Sequence, residues 1–99
     1  MSENTRDRLA AVRQKFIVSL KERADTIETM LDAPEADIEH AQLQTLVHKI
    51  AGSAGFYGEQ QIADAAQRID IQLQQSQAPG EITALKDDLR ALIANLRAL

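Results

Sequence analysis

The sequence predicts an all-α fold, an antiparallel up-down four-helix bundle with an N-terminal helical extension. Three observations carry this expectation. Apolar residues recur in steps of three and four along almost the whole chain, no stretch alternates apolar and polar residues as a half-buried strand would, and turn residues interrupt the helical pattern at short intervals. Amphipathic helices joined by loops of a few residues lie antiparallel to their neighbours, and an up-down bundle buries their stripes together.

The first stripe is Leu9, Val12, Phe16, Leu20, Ala24, Ile27 and Leu31, with Asn4 or Thr5 as candidate cap. It is long for one globular helix. Either one continuous helix of about eight turns or two helices meeting at a bend near Arg13 to Phe16 would satisfy it. Ala33-Pro34-Glu35-Ala36-Asp37 breaks the pattern, since Pro34 disfavours helix at the residue before it and Asp37 can cap the next helix. The second stripe, Leu43, Leu46, Val47, Ile50, Ala54 and Tyr57, ends at Gly58, the residue type that closes helices in a left-handed conformation. Ile62, Ala66, Ile69 and Leu73 form the third, which Ser76-Gln77-Ala78-Pro79-Gly80 terminates. The last is Ile82, Leu85, Leu89, Leu92, Ile93 and Leu96.

Composition narrows the class of function. At 99 residues and 44% apolar content, residues 1–99 suit a single domain with one core. Acidic residues outnumber basic ones by 15 to 11, giving a net charge of −4, and two phenylalanines and one tyrosine leave few stacking platforms. Nucleic acid is therefore not an expected partner. The start Met1-Ser2-Glu3-Asn4 is polar rather than a signal sequence, and no run approaches the roughly 18 apolar residues of a membrane span. We expect no membrane partner and a soluble, cytoplasmic monomer. With no cysteine there is neither a disulfide nor a thiol nucleophile, so packing alone must stabilise the fold.

On a helical wheel at about 100° per residue, with Ile50 at the centre of the buried stripe, His48 falls roughly 160° away and faces solvent. Its neighbours on that face are Ala41, Gln44, Thr45, Gly52 and Gly55, all small or modest in size. Glycine within a helix costs about 1 kcal/mol relative to alanine, and this helix has two. A flat clearing around an exposed nucleophilic nitrogen, which another protein's backbone could approach, would offset that cost. Close helix packing by the glycines and an ordinary surface histidine is the competing explanation.

The segment His48-Lys49-Ile50-Ala51-Gly52-Ser53-Ala54-Gly55-Phe56-Tyr57-Gly58 resembles the signature of histidine phosphotransfer domains: a histidine, a hydrophobic residue two on, glycine four on, then small residues and a glycine ten on. The resemblance implies a four-helix bundle of about this size. It also implies a phosphocarrier whose His48 takes a phosphoryl group from a receiver aspartyl phosphate and passes it to another receiver. Partners would be receiver domains of response regulators or hybrid kinases. One departure stands out, because the family usually has lysine three residues after the histidine and this chain has Ala51. Lys49, about 100° around the helix, could still reach the phosphoryl oxygens. Arg68 is the other candidate, lying as far beyond Gly58 as His48 lies before it. Gln44, Gly52 and Gly55 would complete the docking surface.

Histidine suits the implied chemistry because its ordinary pKa of about 6.5 leaves the ring largely neutral near pH 7. Positioning and charge hold a phosphoryl-transfer transition state, and such systems place the divalent metal on the receiver. No Gly-rich phosphate loop is present, so neither ATP binding nor autokinase activity is expected, and no cofactor. Three other readings compete. A metal site would use His40 and His48, but eight residues separate them and no adjacent carboxylate completes a set. A helical adaptor or oligomerisation module would use outward Val18 and Ile71 as interface residues. A hydrolase lacks any evident pairing of nucleophile, histidine and carboxylate.

Overall fold

The computed structural model describes residues 3–99; Met1 and Ser2, in the polar start of the chain, lie outside the described residues. Four helices follow one another: α1 (Glu3–Leu31), α2 (His40–Phe56), α3 (Gln60–Gln75) and α4 (Glu81–Arg97), with one 3-10 turn (Glu35–Asp37) between α1 and α2. Each packs on the next and α4 closes against α1, so the four stripes meet in one core. Leu20, Ile27, Leu31, Leu43, Ile50, Leu73, Leu89, Leu92 and Leu96 are its largest fully buried side chains. No strand occurs among the described residues.

α1 is continuous, with no bend near Arg13 to Phe16. Its 29 residues span about 43 Å, whereas the 17 residues of α2 or α4 span about 25 Å, so α1 overshoots the bundle. An Arg13–Glu59 ion pair at 2.7 Å and the stacking of Phe16 on Tyr57 place the point of departure beside the α2–α3 turn. Leu9 and Val12 continue the stripe yet stay exposed, because no other described helix reaches their height. Asn4 and Thr5 lie inside the helix, not ahead of it as caps.

The loop at Pro34 is where the sequence places it, but the capping differs. Asp37 ends the 3-10 turn, and Glu39 stands at the N-cap of α2 with no side-chain bond. Glu35 instead reaches across the bundle. Its carboxylate accepts the N–H groups of Gly80 at 2.8 Å and Thr83 at 2.7 Å, serving two orphan donors at the start of α4. The Thr83 N–H leads the interactions that hold the Glu35 carboxyl below its ordinary range, the Gly80 and Ile82 N–H groups adding to it against partial desolvation.

At the other end of α2, Gly58 adopts a left-handed φ of 80°. The Glu59 N–H then bonds to the Ala54 carbonyl at 2.8 Å and the Gly58 N–H to Gly55 at 3.2 Å, a Schellman closure that turns the chain straight into α3. This tight turn sets α2 and α3 side by side.

Candidate functional site

His48 projects from the middle of α2, its side chain 68% exposed. The ring nevertheless has one firm contact: Nδ1 lies 2.8 Å from Oδ2 of Asp70 on α3. An ionised carboxylate only accepts, so Nδ1 carries the proton. In the neutral ring the lone pair then resides on Nε2, which faces outward. The arrangement offers solvent a nucleophilic nitrogen held in one tautomer and one orientation.

Asp70 is placed to do this by its position in the apolar stripe of α3, four residues after Ala66 and three before Leu73, where it is 5% exposed. A buried charge needs partners. Gln44 donates to Oδ1 at 2.8 Å and Gln74 to the same oxygen at 3.1 Å, with His48 on the other oxygen. Burial by itself would push the Asp70 carboxyl up, but the bonds from Gln44, His48 and Gln74 outweigh it and hold the group below its ordinary range. The carboxylate is therefore ionised at neutral pH.

Around His48 the surface is low. Ala51, Gly52, Gly55, Gln60, Ala63, Gln67 and Asp70 line a shallow depression with the ring. At Gly52 an added Cβ would meet nothing within 4 Å; at Gly55 it would touch the Ala63 Cβ at an ordinary 3.8 Å. Gly52 is thus open surface beside the ring, not a point of close helix packing. The Thr45 hydroxyl donates back to the Ala41 carbonyl at 2.9 Å. Ser53 turns from the clearing toward α1, accepting from Arg23 at 3.2 Å.

The residues expected at the site are only partly brought together. Gly52 and Gly55 border the depression, and Gln44 acts one step behind it, on Asp70. Lys49 lines a different hollow with Glu39, Ala41, Gln42, Thr45 and Leu46, and Arg68 lines the α3–α4 groove with Asp88 and Asn95. Neither cation lines the depression around the ring. The hairpin register that brings Arg68 level with His48 is nearly right in height but not in face: Asp70, two residues on and so about 160° around α3, is the one that points at α2.

Asp70 itself is absent from the sequence-level expectations, although a carboxylate inside an apolar helical stripe was the available signal. His40, the other histidine, is half-buried, and its Nε2 donates at 2.7 Å to the Leu73 carbonyl near the end of α3. It serves an orphan helix-end carbonyl, well apart from His48. Val18 and Ile71 are exposed, as the adaptor reading requires, and Phe56 is more so at 82%.

The sequence model of one protein family, described as the Hpt domain, matches residues 11–99. No curated protein and no solved structure matches the chain.

Proposed function

This chain belongs to the Hpt domain family, and on that premise we propose that His48 is its phosphoryl acceptor, working through Nε2. Hpt domains are phosphocarrier modules of phosphorelays. In this chain the direction runs from a receiver aspartyl phosphate to His48 and on to a second receiver, with no autokinase step, in the cytoplasm. The observation that carries the reading is the Nδ1–Asp70 bond of an exposed histidine, which leaves Nε2 free over a depression bordered by Gly52. The Nε2 lone pair attacks the phosphorus while the receiver's metal and binding loops steady the charge. What this domain contributes is a nucleophile already oriented and a surface low enough to admit the partner's active-site loops.

Residues 1–99 act here as one monomeric domain, and Gly52, Gly55 and the exposed ring form the docking centre. Neither Lys49 nor Arg68 is needed at the transfer step. Incubation with an acetyl-phosphate-charged receiver should give an acid-labile, base-stable phosphoryl adduct. His48→Gln should abolish it and His40→Gln should leave it. The first change should leave the protein folded but cost up to about 1 to 3 kcal/mol, because the buried Asp70 carboxylate loses its bond from the ring. A protein that binds receivers but never takes the phosphoryl group would be an adaptor.

A further inference from the structure

We propose that Asp70 keeps the Nδ1 proton on the His48 ring after Nε2 has been phosphorylated, so that the ring later departs as neutral imidazole and the phosphoryl group is passed on quickly, not stored. This rests on the reading of His48 as acceptor. It adds a positioning role for a residue on a different helix and sets how long the phosphorylated state lasts.

Both transfers can then proceed without moving a proton. In the first, the Nε2 lone pair attacks phosphorus, the P–O bond to the receiver aspartate breaks, and its electron pair stays on that carboxylate. The ring is now phosphorylated on Nε2 and protonated on Nδ1, a cationic imidazolium facing the Asp70 carboxylate at the 2.8 Å contact. In the second, a receiver carboxylate oxygen attacks phosphorus, the Nε2–P bond breaks, and its electron pair returns to Nε2. The leaving group is neutral imidazole still carrying its Nδ1 proton. Had that proton been lost, the ring would have to leave as an imidazolate anion, a far poorer leaving group.

Several features make Asp70 able to hold the proton. It is buried, so its attraction for a cationic ring is screened less than an exposed carboxylate's would be. Gln44 and Gln74 fix its other oxygen and keep it ionised and aimed. Among the described residues, His48 and Asp70 are the only ionisable side chains lining the depression; α1 and α4 contribute none to it, Lys49 of α2 and Arg68 of α3 line other hollows, and His40 is engaged by Leu73. With Ala51 on the rim, these residues also supply no cation to steady the phosphoryl oxygens.

The test uses phosphoramidate, which phosphorylates histidine without a receiver, on 15N-labelled wild type, Asp70→Asn and Asp70→Glu. Nitrogen NMR reads the pH at which the phosphorylated ring loses its Nδ1 proton, and transfer to an uncharged receiver is timed over the same range. In folded wild type that midpoint should lie above the urea-unfolded protein's, because the adjacent Asp70 carboxylate favours the charged ring. Asp70→Asn should lose that shift, with onward transfer falling about tenfold per pH unit above its lowered midpoint. Asp70→Glu should restore it. Equal midpoints in folded and unfolded wild type, or in folded wild type and Asp70→Asn, would overturn the proposal. The folded-against-unfolded comparison stands even if the Asn variant does not fold. Label from phosphoramidate but none from any charged receiver would instead overturn the acceptor reading.

Discussion

Gly52 separates two roles that a helical glycine can have. If it eased close helix packing, a larger side chain would overpack the contact at a cost of about 1 to 3 kcal/mol. The space beyond its Cβ position is empty, so Gly52→Gln should instead raise stability by about 0.5 to 1 kcal/mol through helix propensity, read by chemical denaturation. The same variant should block or greatly slow transfer from a receiver, because the new side chain fills the approach to Nε2. A variant less stable than wild type and fully active would refute the clearing. At this scale the exposed His48 and the open Gly52 could be read from a helical wheel, which needs only angles within one helix. A wheel of α3 puts Asp70 in the apolar stripe, but that its partner is His48 depends on how α3 meets α2. Equal spacing about the Gly58 turn gives height and leaves rotation open, which is why Arg68 was as plausible a neighbour as Asp70.

Among the elements, α1 shows that a continuous apolar stripe does not by itself mean continuous burial. Leu20 is fully buried, so Leu20→Ala should cost about 2 to 5 kcal/mol. Leu9→Ala and Val12→Ala, on the same stripe but beyond the end of the bundle, should each change stability by less than about 0.5 kcal/mol in urea denaturation. Helix spacing was legible for all four elements; the height at which the bundle stops depends on the lengths of α2, α3 and α4 together. Capping was less legible still. Glu35 caps α4 from 45 residues away, a contact only the assembled fold creates. Its carboxyl is held below its ordinary value of 4.5, so its contribution is full above that pH and fades as pH falls through the lower folded value. Glu35→Gln should accordingly lower Tm at pH 7, and the gap from wild type should shrink as the buffer is taken well below pH 4.5. A gap that stays constant down to strongly acidic pH would show that the carboxylate charge is not what anchors α4.

For the whole molecule, the bundle presents the middle of α2 at the surface while α3 supports it from behind. The Schellman turn at Gly58 fixes the register that puts His48 against Asp70. The core lies under that face, where Val47, Ile50, Ala66, Ile69 and Leu73 are buried. Adding a phosphoryl group to an outward Nε2 should therefore leave the helices where they are. Phosphorus–nitrogen NMR of 15N-histidine-labelled protein after transfer from a charged receiver tests, at the level of the atom, whether this nitrogen is the acceptor. One phosphorus signal coupled to Nε2 of His48, and absent from His48→Gln, is expected. Phosphorus on Nδ1, on His40, or retained in His48→Gln would contradict it.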